Sequence, residues 1–464
     1  MEVKINEYAS LFEIYYKNSL NHPEDIYIAH DKVDYTYAEC TNIIEQTTVY
    51  LQNKLQKDRP VVGLAFTDQF KFIISFWACT KLEADIVLVQ KPNARSGKIE
   101  LETLNITVDI ILSDDNFELN DHGKIDSITT SEESHFKAST KNNELQGSIY
   151  FFTSGTTGKS KFIKTTYYQI VNAINCIQEE KRMPYTKNQR VLITAPLFHS
   201  YGLSCLIEYT AGDSQILLPP TKKYLNPIQC LFNKNISTKV SAIEGVPYFY
   251  QQLLLFIKRI QMPNLRHIGM GGDVVSQELL DTFHTKTDSV TFSIRYGITE
   301  IPSVISINYF TYSSDFKPHQ LGEILSIYTI NIEKEKDDAS QGELSIEHFY
   351  LPDVKKKINT GDIFEQKADK FSFISRNTFI KYRGYKINPI EIETYLRTHV
   401  AVDDCRVILI NDTLTAEIVT TDTDLNLGVV KEYLKEELRD YVSPDRVKIV
   451  ESIKRTKTGK IIRH

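Results

Sequence analysis

Over the first 115 residues the spacing of apolar positions switches repeatedly between a period of two and a period near 3.6. Ile26–Ala29 and Val33–Tyr37 pattern as a hairpin, Tyr37–Leu55 as a helix, Val61–Phe66 as a buried strand and Gln69–Leu82 as a second helix. Asp85–Gln90 and Ile106–Leu112 read as further strands. Short apolar strands separated by helices predict an α/β chain with parallel pairing, because each parallel connection must cross the sheet and cover its face. Ser113–Gln146 is polar and broken, which predicts a variable, partly mobile region. An apolar strand, Ser148–Phe152, then runs into a Thr/Ser/Gly loop, and strands follow near Val191–Thr194, Gln215–Leu218, Ala242–Val246 and Ser293–Tyr296. After Gly361–Asp362 the segments shorten and charge rises, so a second domain is expected from near Ile380 to the end.

Composition narrows this picture. A chain of 464 residues has room for two or three cores at roughly 100–200 residues each, which excludes a small single-module binder. Hydrophobic residues at 41% and charged residues at 25% exclude disorder and fibrous repeats. A net charge of −6 gives no broad field for nucleic acid or an anionic membrane, so an anionic ligand must be held by local basic groups. No apolar run approaches the ~20 residues of a membrane helix, and the start MEVKINEYAS lacks a signal-peptide pattern, so a cytoplasmic location is expected. Cys40, Cys79, Cys176, Cys205, Cys230 and Cys405 form no CxxC pair and no zinc spacing, and read as reduced, buried apolar residues.

The loop TSGTTGKSK at 153–161 carries two glycines, five hydroxyls and two lysines directly after a buried strand. Such a loop can offer backbone N–H groups and cations to phosphates. A Walker motif ending at Lys159–Ser160 would need glycine at 153, where Thr153 stands, so that reading fails.

The loop resembles the phosphate-binding signature of the adenylate-forming superfamily, which holds acyl- and aryl-CoA synthetases, nonribosomal adenylation domains and luciferases. Its usual form is YTSGTTGKPKG; here Ser160 stands for the usual Pro and Phe162 for the usual Gly. Further family-like segments follow in the family's order: APLFHSYG at 195–202, GVP at 245–247, GMGGD at 269–273, RYGITE at 295–300, NTGD at 359–362, KYRGYKINPIEIE at 381–393 and KRTKTGK at 454–460. The resemblance implies a large N-terminal adenylation core of layered α/β subdomains over residues 1–376 and a small mobile α+β lid over 377–464.

It also implies roles. Thr153, Ser154, Thr156, Thr157 and Lys161 would bind the β- and γ-phosphates of ATP, with Gly155 and Gly158 allowing close backbone approach. Gly271, Gly272 and Asp273 would form a turn beneath the adenine, Tyr296 would stack on it, and Gly297 beside Tyr296 would belong to the same nucleotide-binding set. Thr299 would hydrogen-bond the α-phosphate and Glu300 would ligate Mg²⁺. Asp362 would accept both ribose hydroxyls in NTGD, read as a turn, with Arg376 as the second ribose contact. Lys460 would bridge the attacking carboxylate and the α-phosphate, and His199 would close the acyl pocket. Arg376 to Lys381 is one residue shorter than the family spacing, and Asn377 is the candidate hinge. Gly384 would line the tunnel for the pantetheine arm.

FHSYGLS lacks the aspartate that pairs an α-ammonium in amino-acid-activating members, so an acyl or aryl acid is the expected substrate. The acceptor thiol is CoA or the phosphopantetheine of a carrier protein. Ser160, Phe162 and the short hinge segment also motivate a second reading, a degenerate member that binds nucleotide in a regulatory or partner-binding role without catalysis.

Overall fold

The computed structural model describes the chain except for residues 1–7, 30–32, 91–97, 99–100, 102–106, 120–124, 129–146, 155–159, 182–185, 188, 219–226, 288–289, 335–339, 352, 377–379, 383–384, 388, 412, 438–442, 456–460 and 463–464. It divides into two compact units. The first takes most of the chain to Thr329 together with Glu347–Lys356, and the second takes Ile330–Ile346 and the chain from Lys357 onward.

In the first unit β1 (Ile26–Ala29) and β2 (Asp34–Thr36) form the antiparallel pair that the pattern predicts. The helix Tyr37–Leu55 starts where it does because Thr36 and Glu39 make a reciprocal capping box, each side chain accepting from the other's backbone N–H. β3 (Val61–Ala65), the helix Gln69–Lys81 capped by Asp68, and β4 (Asp85–Leu88) follow. β5 (Ile110–Ser113) begins later than the apolar pattern suggests. Asp109 explains the late start, since its carboxylate and N–H both pair with the backbone of Val61, at 2.7 and 2.8 Å.

The stretch read as variable holds a small hairpin, β6 (Phe117–Leu119) with β7 (Ile125–Ile128). Asn116 folds the approach to it: its Oδ1 accepts from Ser113 N–H at 2.8 Å and its Nδ2 donates to Ile111 O at 2.6 Å, while the Phe117 ring is fully buried. β8 (Ser148–Ser154) and β9 (Ser160–Thr166) complete a five-stranded sheet of order β5-β3-β4-β8-β9, parallel except for the last pair.

The second sheet of this unit is built from β10 (Arg190–Ile193), β11 (Gln215–Leu217), β12 (Ala242–Gly245), β13 (His267–Gly271), β14 (Thr291–Tyr296), β15 (Ser306–Phe310) and β16 (Glu323–Ile324), joined by β1 and β2. Its nine strands run β16-β15-β14-β13-β12-β10-β11-β1-β2, and the six from β14 to β1 are parallel. The helices Tyr167–Glu179, Ser200–Ala211, Pro247–Leu254 and Gln277–Lys286 connect and cover these strands. One core gathers Trp77, Tyr15, Tyr27 and Leu206; another gathers Ile243, Tyr250, Phe283 and Phe292.

The second unit contains a four-stranded sheet of β17 (Thr329–Glu333), β18 (Gln341–Leu351), β19 (Val354–Lys367) and β20 (Lys370–Arg376), the far end of the β18–β19 hairpin counting with the first unit. A two-stranded pair, β21 (Ile380–Tyr382) and β22 (Tyr385–Ile387), follows. β23 (Asp404–Ile410), β24 (Thr413–Val419) and β25 (Arg446–Ile449) then form a three-stranded sheet. Val407, Ala416 and Ile418 of this sheet share a core with Ile392 and Leu396 of the helix Pro389–Leu396 and Val430 and Leu434 of the helix Leu427–Glu437. The architecture is therefore the expected large α/β part followed by a smaller α+β part. Among the described residues no helix is long and apolar enough to cross a membrane.

Candidate active site

β10, β12, β13 and β14 are mutually parallel, so their carboxyl ends share one edge of the large sheet, where ligands of open α/β sheets bind. Four of the sequence-singled segments leave the sheet at that edge: Thr194–His199, Val246–Pro247, Gly272–Asp273 and Gly297–Glu300. His199 is the N-cap of the helix Ser200–Ala211, but its side chain makes no capping bond; the ring lies half-buried, 4.6 Å from that of Phe198. Ser200 Oγ is 3.3 Å from Thr299 Oγ1, which ties this helix start to the loop after β14. Gly272 sits at φ +82°, a backbone setting that favours glycine, and turns the chain so that Asp273 is exposed. Tyr296 and Glu300 are half-buried, and Ile305 N–H donates to Tyr296 O at 2.9 Å to close the loop that holds them.

Behind this edge lies a buried ionic cluster. Arg295 Nη1 donates to Glu208 Oε2 at 2.6 Å, and its Nη2 donates to Glu244 Oε1 at 3.0 Å. Glu244 is 0% exposed, Glu208 1% and Arg295 7%. The hydroxyls of Tyr201 and Tyr209 donate to the two oxygens of Glu244, at 2.9 and 2.8 Å, and Ser303 Oγ donates to Glu208. Burial raises the Glu244 carboxyl above its ordinary value, against the pull of Arg295 and the two phenols. His267, with Thr291 Oγ1 and Ser293 Oγ each 3.0 Å from a ring nitrogen, is pushed down to about 3 by burial and by the Arg295 charge, and is a neutral imidazole.

The ribose candidates stand in the second unit. Asp362 is 5% exposed and lies opposite Arg376 in the β19–β20 register, with Arg376 Nε 3.6 Å from Asp362 Oδ1. NTGD is not a turn between elements, as read from the sequence; it lies inside the long strand β19. Gly361 at φ +74° kinks that strand, and Glu343 Oε1 accepts its N–H at 2.8 Å. The kink keeps the local turn character while the ladder continues.

For the phosphate loop the backbone register is clear at its base, where Thr153 pairs with Lys161 and Ser154 with Ser160. The side chains of Thr153, Ser154 and Lys161 fall outside the description, and Gly155, Thr156, Thr157 and Gly158 lie outside the described residues altogether, as do Asn377, Gly384 and Lys460. Among the described residues no three His, Cys, Asp or Glu side chains gather into a metal cluster.

The profile of the AMP-binding enzyme family matches residues 16–348, and that of the AMP-binding enzyme C-terminal domain matches 391–460. The chain belongs to the AMP-binding enzymes, within the adenylate-forming superfamily. It is 24% identical over 347 residues to 4-coumarate–CoA ligase 4 of Arabidopsis thaliana, covering 67% of this chain and 60% of that protein. Against luciferin 4-monooxygenase of Photuris pensylvanica it is 23% identical, covering 71% and 65%. The chain thus spans between three fifths and two thirds of the length of these curated relatives. Its fold is similar to that of O-succinylbenzoate coenzyme A synthetase from Bacillus subtilis in complex with AMP, with a TM-score of 0.74 at 21% identity over 97% of both chains.

Within this AMP-binding fold the sequence reading missed Ser200, Glu208 and Arg295. Glu208 carried a usable signal: it is the single charged residue of the helix Ser200–Ala211, and it shares a face with Tyr201 and Cys205 at helical spacing. A lone acid on a core-facing stripe must find a cation, and Arg295 in RYGITE was available.

Proposed function

We propose that this chain is an ATP-dependent carboxylate ligase, which joins a carboxylic acid to AMP with release of pyrophosphate and then passes the acyl group to a thiol. The observation that carries the reading is the convergence of the Ser200, Gly272–Asp273 and Tyr296–Glu300 segments on one sheet edge, fastened by the Ser200–Thr299 contact. Family membership supports it, as do relatives named as CoA ligases and fold neighbours solved with AMP and with ATP and magnesium ion.

In the first half-reaction an acid carboxylate oxygen attacks the α-phosphorus, and the electron pair of the α–β bridge leaves on pyrophosphate. Catalysis of such a step is mainly positioning and charge stabilisation. Thr299 donates to the α-phosphate from the loop that Ser200 steadies, and Tyr296 stacks on the adenine above the Gly271–Gly272 turn. Asp362, a buried carboxylate with the Arg376 guanidinium beside it, suits a vicinal diol, and Arg376 is its partner on the ribose. Lys161 and the hydroxyls of Ser154, Thr156 and Thr157 hold the outer phosphates, and Lys460 stabilises the attacked centre. The half-buried Glu300 carboxylate would hold Mg²⁺, which when bound neutralises phosphate charge.

In the second half-reaction the thiol sulfur attacks the acyl carbon and AMP leaves. Residues 377–464 act as a lid turning near Asn377, and Gly384 lines the approach of CoA or of a carrier-protein phosphopantetheine. Six free, buried cysteines support work in a reducing, cytoplasmic compartment.

Acid-dependent ATP–pyrophosphate exchange tests the first half-reaction, and mass detection of a thioester with CoA or a holo-carrier identifies the acceptor. ATP binding with no exchange for any acid would instead favour the non-catalytic, regulatory nucleotide-binding reading.

A further inference from the structure

The residues directly behind the Ser200–Thr299 contact bear on the size of the acid. In the proposed ligase the reacting carboxylate lies beside Thr299, and the room for the rest of the acid is bounded by the start of the helix Ser200–Ala211 and the ends of β12–β14. Tyr201 follows Ser200 and packs against the ends of β12 and β13. Its ring atoms lie 3.2 Å from the position a Cβ on Gly271 would take, and its hydroxyl lies 2.9 Å from Glu244 Oε2 and 3.3 Å from Gly245 O. The ring is therefore held by its tip as well as by its neighbours.

Glu244, the anchor of that tip, is itself fixed by Tyr209 and Arg295 at 2.8 and 3.0 Å. A Cβ at Gly269 would come within 2.1 Å of Glu244 Oε2, so the carboxylate also has backbone packed against it. Swinging Tyr201 aside to admit a long chain would take a donor from a fully buried carboxylate and lay apolar methylenes against it, and both changes are unfavourable. A second carboxylate on the substrate fares no better. The Arg295 guanidinium already lies between Glu208 and Glu244, so an added anion would meet two glutamates around one paired cation.

We infer that the acid activated by this chain is short and carries a single carboxylate, with Tyr201, braced by Glu244 and Arg295, forming the floor of its pocket. This inference rests on the ligase reading above. Tyr201 is a specificity-determining residue in it, and Glu208, Glu244 and Arg295 are positioning residues that act through Tyr201.

The test is ATP–pyrophosphate exchange by the full chain with acetate, propionate, butyrate, octanoate, palmitate, benzoate and malonate. Acetate, propionate or butyrate should exceed every other acid in kcat/KM by about tenfold or more, the discrimination expected of a pocket that lacks room. Tyr201→Ala should raise the octanoate-to-acetate ratio by about tenfold, and Tyr201→Phe, which keeps the ring but loses the hydroxyl anchor on Glu244, should raise it by less. Preference of the wild-type chain for octanoate, palmitate, benzoate or malonate overturns the inference and leaves the ligase reading standing. An unchanged ratio in a folded Tyr201→Ala variant overturns the role given to Tyr201. Exchange with none of the acids while ATP still binds removes the ligase reading itself, and the inference with it.

Discussion

Replacing Arg295 by methionine keeps much of the side-chain volume but removes the charge between Glu208 and Glu244. Both glutamate side chains are 0% exposed, and the hydroxyls of Tyr201, Tyr209 and Ser303 still donate to them. Removing one partner from a buried ion pair costs about 3–5 kcal/mol, because the desolvation of the remaining charge is no longer offset. Arg295→Met should lose that amount, nearly all of it electrostatic, since the cavity term is small. The chain carries its own reporter. Trp77, the one tryptophan, is fully buried; its indole N–H donates to Tyr27 OH at 2.8 Å, and that hydroxyl lies 3.0 Å from Thr210 Oγ1 on the helix bearing Glu208. Denaturant titration followed by Trp77 fluorescence therefore reads the unit in which the cluster sits. The deficit should also depend on pH. Burial already raises the folded-state pKa of Glu244, and loss of the guanidinium raises it further. A carboxyl raised in the folded state binds more protons there than when unfolded. Its contribution is therefore retained below the ordinary carboxylate value of about 4.3 and lost as pH climbs through the raised one. Arg295→Met should be closer to wild type at pH 5 than at pH 8, and adding Glu208→Gln and Glu244→Gln should recover most of the loss. A deficit under about 1 kcal/mol that does not vary with pH would refute the assignment of these side chains as a charged unit.

Gly269→Ala should cost about 1–3 kcal/mol in the same titration, because its Cβ would fall 2.1 Å from a carboxylate that three donors hold in place; a neutral result would mean that Glu244 is free to shift. Asp362→Asn should raise the KM for ATP about tenfold or more, the worth of a charged acceptor for ribose hydroxyls, and an unchanged KM would remove Asp362 from the nucleotide site. Lys460→Ala should slow adenylation about 10²–10³-fold and leave thioester formation from presynthesised acyl-adenylate largely intact. Equal losses in both half-reactions would count against a lid that serves them in turn.

The α/β class and the first helices were legible because local chemistry agrees with the hydrophobic period at the same positions. The capping box of Thr36 and Glu39, and the Asp68 cap, fall where the period switches from two to 3.6. β13 was not legible as a strand. HIGMG has two glycines and little alternation, and its five buried residues owe their burial to β12 and β14 on either side, which no local window contains. The β6–β7 hairpin hid in a polar stretch for a related reason, its anchor being the Asn116 amide rather than an apolar run.

His199, Gly271 and Tyr296 could be read because each stands at the end of a strand or the start of a helix, where backbone shape restricts the residue type. The ionic cluster behind them could not be read that way. Glu208 and Arg295 are 87 residues apart, and Glu244 and Arg295 51, so only the β12-β13-β14 adjacency under one helix brings them together. Stability does not account for the cluster, since replacing a buried ion pair by well-packed apolar residues is commonly neutral or favourable. Shape does. An apolar floor at this position could yield by rotamer changes to a longer acyl chain, whereas a phenol bonded to a carboxylate that is itself gripped by an arginine and a second phenol has no comparable alternative arrangement. The cluster is thus best understood as a means of keeping Tyr201 in place, at no gain in folding energy, so that the space beyond Thr299 stays small.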